Sequence, residues 1–537
     1  MKILNHFLLS AIITISLFNL LGCGGGGGKN NGNTVGLSTG NTNNNISWTA
    51  NTFENENQFK DACATPRTGT DINGRTFLDT QGSTLQENHW LRSWSNNTYL
   101  WYDEITDQNP ADFSSTTDYF KQLKTFETTA SGNKKDHYSF TYDSEAWQYL
   151  NQSGQSTGYG AEFIRISGSP PRKILIAYTE PNSPATSNFV NLIRGTEILT
   201  VDGADVINSS DIQTLNAGLF PSNSGETHTF TVLDLGASQS RQITMTSETI
   251  TSPPVKHLTI FSTDTGNVGY ILFNSHNKVA EQELFNTVTQ LSNANVTDLV
   301  LDLRYNGGGL LAIASQLSYM IAGNAASNKV FYNTIFNDKH TVLNPVTKNI
   351  LSPTPFYNQS LGLTVTAGRD LPSLNLNKVY ILTTKNTCSA SEAIINGLDG
   401  IGVEVILIGT TTCGKPYGFY DTDNCGTTYF TVQFKGTNEQ GFGDYADGFS
   451  PMNTIGAIGS LITGCSVEDD FIRSLGDPNE SLIAAALNHR ATGNCPTPTV
   501  STKTSNSNSF KQNELENLNL ELSNPNKLKD MILGLPE

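Results

Sequence analysis

Basic residues are scarce in this chain of 537 residues. It contains 32 lysines and arginines against 49 aspartates and glutamates, so its formal net charge at pH 7 is −17. Proteins that bind nucleic acid or anionic lipid head groups depend on clustered positive charge. The composition therefore argues against a nucleic-acid partner and against electrostatic attachment to a membrane.

Long apolar runs are also missing, since the longest, residues 7–21, is too short to span a bilayer. This run follows Lys2 and leads into Leu20-Leu21-Gly22-Cys23, the pattern of a bacterial lipoprotein signal. We expect residues 1–22 to be a cleaved signal peptide and Cys23 to carry the lipid. Position 24 is glycine rather than aspartate. By the usual sorting pattern of bacterial lipoproteins, this favours the outer membrane of the cell envelope. The alternative is an ordinary secretory signal with an incidental cysteine.

The cysteines lack the pair spacing of zinc ligands, so no metal site is expected. No cofactor is expected either. Beyond Cys23 there are six, and an even number in an exported chain indicates disulfides. Six cysteines allow about 15 connectivities, among which the sequence does not choose. The connectivity that we favour joins Cys413 to Cys425, Cys465 to Cys495, and Cys63 to Cys388.

Composition divides the mature chain into five parts. Residues 23–50 are rich in glycine and asparagine and predict a flexible tether. Aromatic residues at helical spacing predict a small helical domain over 51–150, and short strands predict a β-rich domain over 151–253. Residues 254–496 alternate strands with helices, which predicts an α/β core with a partly parallel sheet. Residues 497–537 form a tail, with a short amphipathic helix expected around 515–535.

Within the core, the hydrophobic pattern predicts individual elements. Strands are expected at 268–273, 297–303, 378–383 and 403–408, and helices at 280–293, 309–322 and 389–398. Ligands of open α/β sheets bind where such strands end and the next helices begin.

One such position holds a serine, and a lysine follows it after one helix and one strand. Ser389 lies in Asn386-Thr-Cys-Ser-Ala-Ser-Glu392, and Lys415 lies in Thr412-Cys-Gly-Lys-Pro416. A serine hydroxyl is a weak nucleophile until a base removes its proton, and lysine acts as a base only when it is desolvated and neutral. The sequence therefore predicts Ser389 as nucleophile and Lys415 as base.

A strand upstream ends in three glycines, Val300-Leu-Asp-Leu-Arg-Tyr-Asn-Gly-Gly-Gly309. Bare backbone N–H groups at such a point suit a developing oxyanion. This segment is therefore a candidate oxyanion hole. Asp302 and Arg304 are expected to form a structural pair that holds the loop.

Together the three segments resemble the C-terminal processing (tail-specific) serine peptidases of the S41 type. The resemblance implies a ClpP/crotonase-like α/β catalytic core with a mixed sheet, a PDZ-like β-rich domain and a small helical N-terminal domain. It makes Ser389 the nucleophile, Lys415 the base, and the N–H groups of Gly308 and Ala390 the oxyanion donors. No proton-transfer role is expected for Glu392, which favours the dipole of the helix that follows Ser389.

The chain departs from this family at one position. Processing peptidases carry a glutamine four residues after the lysine, whereas this chain has Phe419, so other groups must orient Lys415. Relatives of the tricorn type use histidine as base, which makes His276 the alternative. The interpretation that we prefer for His276 is a loop-end residue satisfied by solvent.

The β-rich domain resembles a PDZ domain, because Gly158-Tyr159-Gly160 precedes a strand and the pattern Ile193-Arg-Gly-Thr-Glu-Ile-Leu-Thr-Val-Asp-Gly203 follows. In such domains a glycine loop holds the carboxylate of a peptide that pairs with the edge strand. Gly158, Tyr159 and Gly160 are therefore the expected peptide-binding residues. The alternative is a module that only packs on the core.

These observations predict a serine endopeptidase of the cell envelope, which cleaves unfolded or C-terminal peptide segments through an acyl-enzyme on Ser389. The expected partners are a peptide or unfolded protein and, through the lipid on Cys23, a membrane. The alternative function is a catalytically weak or inactive peptide-binding adaptor that uses the PDZ-like groove.

Overall fold

The computed structural model describes residues 46–129, 131–167, 170–497 and 531–532. None of the helices in these ranges is both long enough and apolar enough to cross a membrane. The α-helices are α1 Thr84–Thr98, α2 Thr116–Phe120, α3 Ser144–Ser153, α4 Ile212–Leu219, α5 Ala280–Asn293, α6 Leu311–Ala322, α7 Ala390–Gly400 and α8 Ser481–Thr492. Short 3-10 helices lie at Glu56–Gln58, Tyr102–Glu104, Pro110–Asp112, Pro184–Thr186 and Gly323–Ala326.

The strands before the catalytic core are β1 Ala62–Cys63, β2 Thr80–Gln81, β3 Phe140–Asp143, β4 Gln155–Gly158, β5 Ala161–Ser167, β6 Lys173–Thr179, β7 Glu197–Val201, β8 Ala204–Asp205, β9 Thr227–Leu233, β10 Arg241–Thr246 and β11 Glu248–Thr251. The later strands are β12 Val255–Thr263, β13 Gly266–Phe273, β14 Val296–Asp302, β15 Gly309–Leu310, β16 Val330–Phe336, β17 Thr354–Pro355, β18 Lys378–Thr383, β19 Glu404–Gly409, β20 Tyr417–Phe419, β21 Thr422–Asn424, β22 Thr427–Phe430, β23 Phe434–Thr437, β24 Phe449–Pro451, β25 Ser460–Ile462, β26 Gly464–Ser466 and β27 Met531–Ile532.

The N-terminal region is built on helix α1, which Ser83 caps by accepting a hydrogen bond from the N–H of Gln86. Trp90 and Trp94 lie one turn apart on this helix and stack with their ring centroids 5.1 Å apart. Trp90 also packs against Tyr429 of β22, at 5.4 Å. The aromatic residues therefore form core contacts, as the sequence predicts, and they join the N-terminal region to the catalytic core. Strand β3 extends the same join by pairing antiparallel with β22.

The β-rich region is built on an antiparallel sheet in the order β10-β9-β7-β6-β5, with β8 paired to β7. Strands β4 and β11 form a separate antiparallel pair. Helix α4 covers the sheet through Ile212, Leu215 and Leu219, which are buried in the same hydrophobic cluster as Phe230 and Val232 of β9. Strand β5 stands at the edge of this order. Its outer backbone groups therefore lie at the margin of the sheet, where a further strand can pair.

The α/β core is a mixed sheet in the order β12-β13-β14-β18-β19-β26. The β12–β13 pair is antiparallel and the remaining pairs are parallel. Alternate residues of the strands face opposite sides, so the sheet buries both faces. One face packs against α5, α6 and α7, and the other against α8. The predicted strands and helices of this core are confirmed, with ends that shift by at most two residues.

The tail contributes one strand, β27, which lies between β15 and β20 and is parallel to both. The expected amphipathic helix around 515–535 is therefore wrong for Met531 and Ile532, whose backbone is extended. Its other residues lie outside the described part of the chain. The hydrogen-bonding groups of this backbone pair with two strands of the core. They therefore do not need the helix that the sequence pattern favours.

The disulfides differ from the favoured connectivity in two of three pairs. Cys465–Cys495 is confirmed, whereas Cys413–Cys425 and Cys63–Cys388 are wrong. The structure instead joins Cys63 to Cys425 and Cys388 to Cys413, with Cα atoms 5.3 Å and 5.2 Å apart. The reason is tertiary, because the N-terminal region folds against the β21–β22 turn: the N–H of Asp61 donates to Oδ1 of Asn424, 2.9 Å away. That contact spans 363 residues and has no sequence signature.

Candidate active site

Three loops that follow neighbouring parallel strands meet at one edge of the core sheet. The glycine loop follows β14, the serine segment follows β18, and the lysine turn follows β19. Because parallel strands present their carboxyl ends at the same edge, the three predicted segments adjoin. The backbone of Thr387 ties two of them together, since its carbonyl accepts a hydrogen bond from the N–H of Cys413, 3.0 Å away.

Ser389 is the residue immediately before helix α7 and is fully buried. Its φ is +62° and its ψ is −114°, a conformation that non-glycine residues rarely adopt. Its Oγ has no hydrogen-bond partner among the described residues. Strained backbone of this kind persists only where surrounding contacts hold it, and it is concentrated at functional sites.

Glu392 supplies contacts that hold both the serine segment and the lysine turn. Its Oε2 accepts hydrogen bonds from the N–H of Ser389 at 2.9 Å and from the N–H of Lys415 at 2.8 Å. Its Oε1 accepts from the N–H of Gly414 at 2.8 Å and from the hydroxyl of Thr412 at 2.5 Å. One carboxylate therefore ties the start of α7 to the turn that carries the lysine.

Full burial raises the pKa of Glu392, and the hydrogen bonds from Thr412, Lys415, Ser389 and Gly414 oppose that rise. Sequence reasoning assigned Glu392 only to the helix dipole and missed this bridging role. A signal existed, because a glutamate at the third position of a helix can reach back to the N–H of the capping residue. Nothing local indicated the lysine turn as its second partner.

Lys415 is fully buried, as expected for an amine that must be desolvated to act as a base. Its Nζ lies 4.5 Å from the ring centroid of Phe419 and 5.1 Å from that of Tyr138. Tyr138 also donates a hydrogen bond from its hydroxyl to the carbonyl of Gly414, 2.8 Å away. Phe419, which replaces the usual glutamine, therefore packs against the amine itself. Tyr138 brings the N-terminal region into the site, a contribution that the sequence did not reveal.

Gly308 packs directly against the serine segment. A β-carbon on Gly308 would lie 2.9 Å from Cβ of Ser389 and 3.0 Å from the backbone nitrogen of Ala390, and the φ of Gly308 is +112°. The absence of a side chain thus leaves space beside the N–H of Ala390, at the first position of α7. The N–H of Gly308 itself donates to Oδ1 of Asn306, 2.9 Å away. Of the two predicted oxyanion donors, Ala390 is the one that borders this space directly.

His276 lies on the other side of the glycine loop and is fully buried, so its interpretation as a solvent-satisfied loop residue is wrong. Its Nδ1 is 3.0 Å from Oδ1 of Asn306 and 3.2 Å from the carbonyl of Gly308. Both are acceptors, so Nδ1 carries the proton and Nε2 is the basic nitrogen. Burial lowers the pKa of His276 to about 4. Nε2 has no partner among the described residues, which leaves His276 chemically available as the alternative base.

The predicted pair of Asp302 and Arg304 is confirmed and belongs to a larger buried network. The guanidinium of Arg304 contacts Asp302 at 2.8 Å, and both Asp469 and Glu480 at 2.7 Å. Arg194 of the β-rich region reaches the same Asp469, at 2.8 Å. The network anchors the start of the glycine loop to α8 and to the β-rich region.

The Gly158-Tyr159-Gly160 segment lines a cavity of about 170 Å³ between the β-rich region and the core. Phe163 and Phe220 line it on one side, and Gly307 of the glycine loop lines it on the other. The side chain of Tyr159 does not face a ligand space, because it is buried in the hydrophobic core and donates to the carbonyl of Gly218, 2.8 Å away. The cavity thus connects the predicted peptide groove with the catalytic loop.

Two clusters of cysteine with histidine or glutamate have ligand atoms close enough to share a cation, among the described residues. They are Cys465 with His489 and Cys495, and Cys388 with Glu392 and Cys413. In each the two sulfurs are joined as a disulfide, and a disulfide sulfur is not the thiolate that metals bind. Cys23, the predicted lipidation site, lies outside the described residues.

These segments are similar to parts of known proteins. Residues 267–418 match the model of peptidase family S41, and residues 86–140 match that of the peptidase S41 N-terminal domain. The first match contains Ser389 and Lys415, and the second contains Tyr138.

Two curated proteins are similar to part of the chain. The chain is 26% identical to a carboxyl-terminal-processing protease of Picosynechococcus sp. over 267 residues, which are 50% of this chain and 56% of that protein. It is 30% identical to a chloroplastic C-terminal processing peptidase of Tetradesmus obliquus over 185 residues, 32% of this chain and 38% of that protein. The alignments thus span about half of these relatives or less.

A solved structure shows the same fold over a longer range. A putative S41 protease from Bacteroides fragilis matches with a TM-score of 0.55 and 23% identity, covering 75% of this chain and 97% of that one. At this identity the likeness concerns the fold alone.

Proposed function

We propose that this chain is a serine endopeptidase of peptidase family S41, which cleaves unfolded or C-terminal peptide segments through an acyl-enzyme on Ser389. The observation that carries the proposal is the shared carboxylate oxygen of Glu392, which accepts hydrogen bonds from the backbone of both Ser389 and Lys415. The backbones of Ser389 and of the buried Lys415, which lie on separate segments of the chain, are thereby held at one carboxylate.

The chemistry follows from these positions. Oγ of Ser389 attacks the carbonyl carbon of the peptide while the neutral amine of Lys415 takes the hydroxyl proton. The oxygen of the tetrahedral intermediate accepts the N–H of Ala390 in the space left by Gly308. Collapse breaks the C–N bond, and the ammonium of Lys415 returns its proton to the leaving amine. Water then hydrolyses the ester by the same steps in reverse order.

Gly308 supplies the second oxyanion donor in this scheme. Its N–H points to Oδ1 of Asn306, an atom that is also 3.0 Å from Nδ1 of His276. If the N–H of Gly308 donates to the oxyanion instead, Oδ1 of Asn306 still accepts a hydrogen bond from His276. This buried oxygen is therefore not left without a partner.

An extended substrate is the class that fits the cleft. The backbone of β27 lies between β15, which follows the glycine loop, and β20, which follows the lysine turn. A single extended segment is thus accommodated beside both catalytic segments through main-chain pairing. Main-chain pairing supplies affinity without reading sequence, which suits an enzyme for unfolded segments.

We also propose that the PDZ-like region captures the substrate's carboxyl terminus. Strand β5 is an edge strand, and the cavity beside it reaches from Gly158 and Gly160 to Gly307. A peptide that pairs with β5 would direct its chain toward the glycine loop. Peptides of one sequence with a free or an amidated carboxyl terminus test this idea. We expect KM to rise at least tenfold for the amide, and equal KM values would refute carboxylate capture.

The central test is replacement of the nucleophile. Ser389→Ala should abolish cleavage of an unfolded protein while its thermal unfolding stays that of the parent chain. A serine-directed phosphonate should label the parent chain, and peptide mapping should find the label on Ser389. Undiminished cleavage by Ser389→Ala would exclude the mechanism.

The pH profile identifies the base. With Lys415 as base, kcat rises as the amine deprotonates toward alkaline pH. With His276 as base, kcat rises near the pKa of about 4 and is level above pH 6. Lys415→Met should abolish turnover in the first case, and His276→Asn should do so in the second.

A peptide-binding adaptor is the second candidate, and Phe419 in place of the usual glutamine favours it. An adaptor would bind the free-acid peptide in calorimetry, with no turnover at any pH. Turnover that depends on Ser389 excludes it.

For location, we propose that the mature chain begins at lipidated Cys23 and is anchored in the bacterial envelope, in the outer membrane. The motif Leu20-Leu21-Gly22-Cys23 supports this. Radiolabelled palmitate should be incorporated by the parent chain and not by Cys23→Ser. Equal labelling of the two would refute the anchor.

A further inference from the structure

The Cys388–Cys413 disulfide joins the two segments that carry the proposed chemistry. Cys388 immediately precedes Ser389, and Cys413 lies two residues before Lys415. The bond holds the Cα atoms of the cysteines 5.2 Å apart across a sequence separation of 25. Neither of the other two disulfides touches the serine segment or the lysine turn. This bond is thus a covalent link between the nucleophile and the proposed base.

Breaking the bond would change the spacing of the two segments. Bonded sulfurs are about 2 Å apart, whereas nonbonded heavy atoms settle roughly 3.5–4 Å apart. Cys388 is buried among packed neighbours, which limits how far its sulfur can move. The remaining separation is taken up by the backbone of the serine segment and of the lysine turn. Misplacement of a catalytic group by about 1 Å lowers the rate by about a hundredfold.

Reduction would also disturb Glu392. Sγ of Cys413 lies 3.4 Å from Oε2 of Glu392, the oxygen that accepts from the N–H groups of Ser389 and Lys415. In the disulfide this sulfur carries no proton. A thiol in its place adds a donor beside an oxygen that already accepts two hydrogen bonds. In the oxidised form, therefore, Oε2 of Glu392 accepts hydrogen bonds from the backbone of Ser389 and Lys415 without competition from a thiol.

The bond is accessible from one side. Cys413 is half-buried and lines a cavity of about 150 Å³, whereas Cys388 is 1% exposed. Lys134 and Lys135 line the same cavity, together with Asp447, and Lys135 is paired with Glu104. Positively charged side chains favour the approach of a thiolate, which is the species that attacks a disulfide. A small thiol can thus reach Cys413 without unfolding the chain.

We propose that Cys388–Cys413 is a redox modification site, at which a small dithiol reductant uncouples Ser389 from Lys415 and lowers turnover reversibly. One thiolate of the reductant attacks Sγ of Cys413, and Cys388 leaves as a thiolate that takes up a proton. The second thiol of the reductant then displaces Cys413, which leaves as a thiol. The exchange transfers two electrons and two protons to the protein, and the reductant becomes a cyclic disulfide. The activity readout rests on the proposed peptidase function, whereas the exchange itself does not.

The test titrates the full chain with dithiothreitol, alkylates free thiols and maps them by mass spectrometry. We expect Cys388 and Cys413 to be alkylated before the four cysteines of the other two disulfides, while circular dichroism stays that of the folded protein. Over the same range kcat should fall at least tenfold, and reoxidation with oxidised glutathione should restore it. Cys63→Ser/Cys425→Ser is the matched control and should keep this response. Cys388→Ser/Cys413→Ser should have low kcat at every dithiothreitol concentration.

Hydrogen exchange separates this proposal from the proposed function. Reduction should increase amide exchange in peptides that cover residues 386–392 and 412–416, whether or not the chain cleaves a substrate. A chain that never cleaves but shows this exchange response loses the peptidase assignment and keeps the redox site. Two results would overturn the redox site: alkylation of Cys388 and Cys413 only when the chain unfolds, or their alkylation with unchanged exchange in both segments.

Discussion

Substitution of Gly308 by alanine tests the oxyanion geometry directly. The added β-carbon would lie 2.9 Å from Cβ of Ser389, 3.0 Å from the nitrogen of Ala390 and 3.0 Å from the carbonyl oxygen of Cys388. These are closer than nonbonded atoms normally approach, and two of the three neighbours are backbone atoms that cannot rotate away. The methyl group would therefore occupy the space in which the oxygen of the intermediate has to sit.

The expected effect divides into a catalytic part and a conformational part. The methyl group would keep the oxygen away from the N–H of Ala390, and loss of one oxyanion donor lowers kcat by about 10²–10³-fold. Separately, the φ of Gly308 is +112°, and alanine in such a region costs roughly 1–3 kcal/mol of folding free energy. We expect kcat to fall by about 10²–10³-fold, with KM changed by less than about threefold, because ground-state binding does not use the oxyanion space.

Gly402→Ala is the matched control, since Gly402 lies in the same core with φ +79° and has no heavy atom within 4 Å of the position that a β-carbon would occupy. Steady-state cleavage of an unfolded substrate and denaturant unfolding should be measured for both variants. Both should lose stability, and only Gly308→Ala should lose turnover. A kcat for Gly308→Ala within tenfold of the parent, or an equal loss in Gly402→Ala, would refute the reasoning.

Three further predictions concern residues around this site. Glu392→Gln replaces one carboxylate oxygen by an amide N–H donor that must face an existing donor. The free energy of unfolding in urea should therefore fall by about 1–3 kcal/mol, and kcat should fall at least tenfold. Unchanged values would contradict the bridging role. Burial holds the pKa of His276 at about 4 rather than 6.5, so the unfolded chain binds that proton first as the pH falls. The corresponding stability is complete above pH 6.5 and decreases by about 3 kcal/mol toward pH 4; the unfolding free energy of His276→Asn should lack this component. Tyr138→Phe removes the hydroxyl bond to Gly414 but keeps the ring near Lys415, so it should cost about 0.5–1.5 kcal/mol with kcat within tenfold, whereas Tyr138→Ala should lower kcat further.

Much of the catalytic core could be predicted because its elements are long and strongly patterned. The helix over 280–293 and the strand over 378–383 have the predicted ends, since their apolar spacing is continuous. The proximity of Ser389 and Lys415 was also predictable, because adjacent parallel strands bring their following loops to one edge.

The errors all concern contacts between segments distant in sequence. Cys63 pairs with Cys425 because the N-terminal region folds onto the β21–β22 turn, and no spacing rule indicates which cysteines will meet there. His276 is buried because the glycine loop closes over it, although its own neighbours in sequence are typical of an exposed loop. Tyr138 reaches Lys415 from a region that its local pattern assigned to another domain.

The sequence by itself determined the secondary structure of the core, the glycine, serine and lysine segments, and the residue types available for chemistry. It could do so because periodicity and turn chemistry act over neighbouring residues. Only the tertiary structure decided which groups serve Ser389 and Lys415: the carboxylate of Glu392, the rings of Tyr138 and Phe419, and the bond between Cys388 and Cys413. Those contacts depend on where whole segments pack, and packing sums many weak interactions that no short stretch of sequence contains.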